Sequence, residues 1–369
     1  MSNSLEDIQK YGQSVWYDNV SRGLIESGEL QLLINLGVTG LTSNPTIFQK
    51  AITGSNDYDD AFETLVSEGK NADSIYESLA INDIKAAADL LRPVYDATGG
   101  VDGYASLEVN PHLAHDTDGT VVEGMRLFEE LDRPNVMIKV PATPAGMPAI
   151  RRLIGKGINV NVTLLFSLVA YRDARQAYIA GLEDLKGTGG DLARVASVAS
   201  FFVSRVDTEV DKRLAAIGTD AASSLSSKAG LANARLAYEL FQKKFASDRA
   251  KALLEAGATV QRPLWASTGV KDPALPDTLY VTELVAKGTV NTMPEKTLEA
   301  TFDHAEITGD TVTGAYAESH DYFSQLEAAG VDFADVTQVL EDEGVEKFVA
   351  SWRELQETVK AALSEAAEA

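Results

Sequence analysis

The sequence predicts an α/β fold, a parallel (β/α)8 TIM barrel with extra helices at both termini and after the sixth strand. Three observations carry that prediction. Eight short β-prone segments alternate with helical ones along 369 residues, the rhythm of repeated βα units. The strand ends collect polar residues of matching parity, as a barrel mouth does. The competing architecture is an open doubly wound sheet, which would usually hold a nucleotide. The chain has neither G-x-G-x-x-G after a strand nor G-x-x-x-x-G-K-[ST]. No linker rich in Pro, Gly or Ser divides it, so residues 1–369 read as one domain.

In chain order, Ser4 is placed to cap a first helix reaching Tyr11, with Asp7 in the capping-box position. Residues 14–19 are short and β-prone and contain Asp18 near their end. Residues 22–33 read as a helix, and residues 37–45 as a strand that runs into polar residues and Pro45. A long amphipathic helix over 74–91 precedes the third strand, 103–111, which carries Glu108. Helix 118–131 leads to the fourth strand, 135–143. Helix 148–155 leads to the fifth, 158–165, and helix 168–182 to the sixth, 196–205. A longer helical section fills 207–256. Strands at 263–268 and 289–294 complete the set. The tail from Glu318 is helical in several pieces and alternates acids with apolar residues, as a packed surface helix does.

Composition narrows the function. The formal net charge is −23 with no basic block, so nucleic acid and anionic membrane are poor partners. A phosphorylated ligand would have to be held by a few local cations against that field. With no cysteine, disulfides and thiolate metal sites are excluded. The N-terminal residues lack the basic and apolar regions of a signal peptide, and no apolar run approaches a membrane span. A soluble cytoplasmic protein is expected, either monomer or homodimer.

The fourth strand holds the most informative residue. Asn135-Val136-Met137-Ile138-Lys139-Val140-Pro141 is apolar but for Lys139 near its end. Two readings are open. Lys139 could sit past the strand, solvated or paired with an acid. Alternatively it is held inside, where desolvation disfavours the ammonium and prepares an amine to attack a carbonyl. Alternation bears on the choice. Asn159, Asn161 and Thr163 share one face of the fifth strand, with Val160, Val162 and Leu164 on the other. Ser106, Glu108 and Asn110 share a face of the third, Thr42 and Asn44 have matching parity, and so do Ser200 and Phe202. The outer face of a barrel packs under helices, so these polar faces point inward and converge at the C-terminal mouth.

Schiff-base catalysis fits such a set. The amine would attack a ketone and lose water to give an iminium, and the iminium accepts electrons when a neighbouring C–C bond breaks. Glu108 and Asp18 are the carboxylates available for the proton transfers, and Asn and Thr side chains suit sugar hydroxyls. Three rivals compete. Asp18 and Glu108 could be the carboxylate pair of a glycosidase, which leaves Lys139 without a role. Glu108, His112 and His115 have the spacing of metal ligands on a helix, but Pro111 and the preceding strand break that helix. A scaffold barrel would not need acid, base and amine together.

Four motifs in order carry a family resemblance: Leu41-Thr42-Ser43-Asn44-Pro45, Ser106-Leu107-Glu108-Val109, Ile138-Lys139-Val140-Pro141-Ala142-Thr143, and Gly157 through Ser167 with Asn161 and Thr163. From about Trp16 to Met293 the chain resembles the transaldolases, in their longer bacterial and plant-type form. The resemblance implies that Lys139 is the Schiff-base lysine. It implies that Glu108 transfers protons with an ordered water and that Asp18 is the base for C–C cleavage. Asn44 and Asn161 would hold the dihydroxyacetone unit, with Thr42 and Thr163 nearby, and Ser200 and Phe202 would line the pocket. Arg205 would bind the sugar phosphate, where a guanidinium fork suits the oxygens. Shorter transaldolases carry a second arginine after the seventh strand. Here Ser267-Thr268-Gly269-Val270-Lys271 stands in its place, and Ser267 and Lys271 are assigned to the phosphate. The implied reaction moves dihydroxyacetone from sedoheptulose 7-phosphate or fructose 6-phosphate to an aldose phosphate, in the non-oxidative pentose phosphate pathway, without a cofactor or metal. A fructose 6-phosphate aldolase, releasing free dihydroxyacetone, is the nearest alternative.

Overall fold

The computed structural model describes residues 3–368; Met1, Ser2 and Ala369 lie outside the described residues. Eight parallel strands close into a barrel in chain order: β1 (Ser14–Tyr17), β2 (Gly40–Leu41), β3 (Ala105–Glu108), β4 (Val136–Pro141), β5 (Val160–Leu165), β6 (Ser197–Phe202), β7 (Gln261–Ala266) and β8 (Val290–Met293). β8 pairs back onto β1, so no edge is left. Every strand residue is buried, because helices cover the outer face and side chains fill the inner one. Among the described residues no helix is long and apolar enough to cross a membrane.

The barrel interior is a packed layer that includes Trp16, Met137, Val198, Leu264 and Val290. Gly40 makes room for it: a Cβ there would lie 2.5 Å from the Trp16 indole. The indole N–H donates to Asp102 at 2.6 Å, and the Ser14 hydroxyl donates to the same carboxylate, closing the barrel floor.

The helices are set by local signals. α1 (Ser4–Lys10) is capped by Asn3, whose side chain accepts from Glu6 N, one residue earlier than the expected Ser4 cap. The expected helix over 22–33 is two, α2 (Arg22–Glu26) and α3 (Glu29–Asn35), because Gly28 takes φ 82° between them. α4 (Pro45–Gly54) and α5 (Asp59–Ser67) fill a stretch that carried no sequence reading. α6 (Ala72–Ala97) is longer than expected, since Asn71 caps it at Ser74 N and Pro93 does not end it. α7 (Thr117–Leu131), α8 (Gly146–Ile154) and α9 (Leu168–Gly187) are the crossovers flanking β4 and β5. The addition after β6 comprises α10 (Ser204–Ile217), α11 (Asp220–Ser223), α12 (Ala229–Phe245) and α13 (Asp248–Glu255). α14 (Leu279–Thr282) precedes β8, and α15 (Glu295–His304) follows it.

The tail is α16 (Tyr316–Ala328) and one long helix, α17 (Phe333–Glu368). α17 crosses the barrel mouth and packs on α4, α6, α10 and the end of β5. Thr46 and Ser351 share a hydroxyl hydrogen bond at 2.7 Å. Trp352 stands edge-on to Tyr76, with ring centroids 4.7 Å apart. At the other end Arg213 pairs with Asp335 at 2.6 Å. The tail therefore roofs the barrel.

Candidate active site

Register brings the central residues together. Glu108 ends β3 and stands beside Lys139 of β4, which stands beside Asn161 of β5. Lys139 is 4% exposed, which overturns the solvated reading. Its Nζ donates to the Ser43 carbonyl at 2.9 Å and lies 3.4 Å from Glu108 Oε2, an ion-pair contact without hydrogen-bond alignment. Among the described residues both Glu108 oxygens lack a hydrogen-bond partner. Burial pushes the Glu108 carboxyl up to about 7; Lys139 opposes that shift, and the nearby Asp18 adds to it.

Asp18 follows β1 directly. Its carboxylate accepts from Thr42 Oγ1 at 2.7 Å, and Thr42 also meets Thr292 at 2.7 Å. Burial raises its pKa against the opposing pull of Lys139, Thr42 and Arg205. Asn161 is fully buried: its amide donates to Ser106 Oγ at 3.1 Å and accepts from Ser200 Oγ at 2.7 Å. That chain of bonds fixes the amide between β3 and β6. Thr163 Oγ1 is buried without a hydrogen-bond partner among the described residues. Asn44 caps α4 by accepting from Ile47 N at 3.0 Å, so its oxygen is occupied there. Asn159, on the same face as Asn161, serves the barrel floor by bonding Pro134, Val136 and Ala196.

These groups face one pocket of about 760 Å³ at the C-terminal mouth. Its wall includes Asp18, Thr42, Asn44, Lys139, Thr163, Ser200, Phe202, Arg205, Ser267 and Lys271; Glu108 and Asn161 flank Lys139 on the two neighbouring strands. The twelve residues to which the resemblance assigns a role therefore lie in or next to this pocket. Arg205 stands in the first turn of α10, beyond the end of β6, with its guanidinium 5.0 Å over the Phe202 ring. Ser267 takes φ 56° and shares a 2.8 Å hydroxyl contact with Ser204, so its loop is held in a strained conformation at the pocket. His112 and His115 are exposed after β3, while Glu108 is buried below, so the three do not converge as a metal site.

One side chain faces the other way from its sequence expectation. Leu164 was expected outside with Val160 and Val162. It takes φ 58°, the β5–β6 register shifts between Val162 and Leu165, and its side chain joins the mouth cluster under α17. The pocket also holds residues that strand parity does not reveal. Phe348 of α17 is 3% exposed, with its ring centroid 5.9 Å from Lys139 Nζ. Lys50, Glu343 and Lys347 line the same wall. No local pattern in the sequence marks them, because they reach the mouth only through the packing of α4 and α17.

Comparison with known proteins agrees with this geometry. Residues 15–359 match the family described as Transaldolase/Fructose-6-phosphate aldolase. "Transaldolase 1" of Streptomyces avermitilis is 54% identical over 367 residues, covering 98% of this chain and 97% of that protein. "Transaldolase" of Saccharopolyspora erythraea is 53% identical over 366 residues, 99% of each chain. "Transaldolase" of an Arthrobacter species is 51% identical over 370 residues, the full length of both. A closed barrel with a buried lysine beside a buried glutamate, matched over nearly its whole length, belongs to the Transaldolase/Fructose-6-phosphate aldolase family.

Proposed function

We propose that this chain is a transaldolase that passes a dihydroxyacetone group between sugar phosphates through a Schiff base on Lys139. The observation that carries the reading is Lys139 itself, a buried amine in β4 that bonds a backbone carbonyl and stands 3.4 Å from Glu108. The amine adds to the ketone of sedoheptulose 7-phosphate or fructose 6-phosphate. Glu108, titrating near neutrality, hands protons to and from the carbinolamine, whose hydroxyl leaves as water. Asp18 takes the proton from the hydroxyl on the carbon that departs as an aldose phosphate. The electron pair of the broken C–C bond moves into the iminium and leaves an enamine on Lys139. The enamine adds to the acceptor aldehyde, and hydrolysis of the new iminium frees the product.

Asn44, Asn161, Thr42 and Thr163 hold the hydroxyls of the dihydroxyacetone unit, Ser200 and Phe202 shape the wall, and Arg205, Ser267 and Lys271 receive the phosphate. The iminium is the electron sink, so the proposed cycle runs on side chains alone. A chain free of cysteine suits the reducing cytoplasm. The family description also covers release of dihydroxyacetone to water; the relatives' names and the aromatic roof over Lys139 favour transfer.

Borohydride reduction with fructose 6-phosphate, followed by peptide mass mapping, tests the reading. The expected result is a dihydroxyacetone-sized adduct on Lys139. Folded protein without an adduct would return the choice to the carboxylate pair and hydrolysis.

A further inference from the structure

More cations converge on the pocket than the motif residues supply. Arg205 and Lys271 are joined there by Lys50 of α4 and Lys347 of α17. The four come from four separate stretches of a chain with net charge −23. Among the described residues, none of them forms an ion pair with a carboxylate, although many surface lysines and arginines elsewhere do. The acids on the same wall are accounted for. Glu209 is engaged by Lys212 at 3.2 Å and Arg213 at 2.9 Å. Asp18 lies deep and is bonded by Thr42. Glu343 faces the cations from α17, and Arg205 feels the fields of Asp18, Glu108 and Glu343.

The lysines also sense one another. Partial burial lowers the pKa of Lys347, and the charges of Arg205, Lys50 and Lys271 lower it further. Positive charges gathered without ion-pair partners repel each other, and a dianion placed among them removes that repulsion. This arrangement also answers the missing second arginine after β7. Compact ammonium charges on long stems can reach one phosphate from several directions, where an arginine fork would grip it from one.

We propose that Lys347, with Lys50, binds the phosphate of the sugar substrate and completes with Arg205 and Lys271 a four-cation site. The proposal rests on the dihydroxyacetone-transfer reading and assigns substrate-binding residues within it. It gives α17 two adjacent contacts, Lys347 toward the phosphate and Phe348 over the amine that reacts. The roof helix then reads the end of the substrate that distinguishes a sugar phosphate from a free sugar.

The test compares wild type with Lys347→Gln, Lys50→Gln and Lys347→Arg. Losing one charge-assisted contact at an exposed rim should raise KM for fructose 6-phosphate about tenfold in each Gln variant, with kcat little changed. Competitive inhibition by inorganic phosphate should weaken by the same factor, and Lys347→Arg should recover most of both. Borohydride trapping of unphosphorylated dihydroxyacetone on Lys139 should be unaffected. Unchanged KM and unchanged phosphate inhibition in Lys347→Gln, with the Lys139 adduct intact, would overturn the four-cation site alone. Absence of the adduct in wild type would overturn the transfer reading itself.

Discussion

At the scale of single residues, the site depends on two carboxyls kept away from water beside one amine. Glu108 is the sharper case. Burial pushes it up to about 7, so both of its forms are populated at neutral pH, as suits a group that must give and then take a proton. A limb near pH 7 is therefore expected in kcat/KM of the wild-type protein. Glu108→Gln should lower kcat by roughly 10²- to 10⁴-fold and remove that limb. A limb that survives the substitution would assign the titration to another group, Asp18 first, since its pKa is also raised by burial. Lys139→Ala should abolish turnover with the fold intact, as read by circular dichroism; retained turnover would end the Schiff-base reading. These three residues were legible because Lys139 lies within β4, Glu108 ends β3 and Asp18 follows β1, where strand alternation decides which way a side chain points. Leu164 was not, because one residue at positive φ reverses parity and nothing in Thr163-Leu164-Leu165 announces it.

At the scale of elements, α17 carries the most consequence and gave the least warning. Its amphipathic pattern was visible, yet an apolar face says that a helix packs and not what it packs on. Its place over the mouth depends on contacts distant in the chain: Ser351 with Thr46, Trp352 with Tyr76, and Asp335 with Arg213. Trp352 tests how firmly the roof is held. It is buried, and its indole N–H has no hydrogen-bond partner among the described residues. Trp352→Ala should cost about 3–5 kcal/mol in urea unfolding and loosen Phe348 over Lys139, lowering kcat as well. Trp352→Phe keeps an aromatic edge against Tyr76 and removes the unpartnered donor, so it should lie much closer to wild type. Equal losses in the two variants would mean that the contact with Tyr76 is not what anchors the helix.

For the molecule as a whole, the βα rhythm was enough to give the barrel. The helical addition after β6 was visible only as a length of helix. One of its internal ties is Asp207 of α10, which no motif marks. Asp207 accepts from Gly230 N at 2.7 Å and from the Tyr280 hydroxyl at 2.6 Å, joining α10 to α12 and α14. Burial pushes its carboxyl up to about 6 despite both bonds, and Asp211 adds to the shift.

The sign of the stability effect follows. The folded protein holds this proton up to pH 6, whereas the unfolded chain releases it near pH 4. Between those values the folded state binds more protons, so this group's contribution to stability falls as pH rises and levels off above the folded pKa. Asp207→Asn removes that dependence, and an amide can still accept from Gly230 N while donating to the Tyr280 oxygen. Whatever its fixed cost, the variant should gain on wild type by about 1.4 kcal/mol between pH 5 and pH 7.5. Urea unfolding of both proteins at the two pH values measures that difference directly. A difference independent of pH would mean that Asp207 is ionised in the folded protein throughout. The junction of α10, α12 and α14 would then be held by a charged carboxylate accepting two hydrogen bonds.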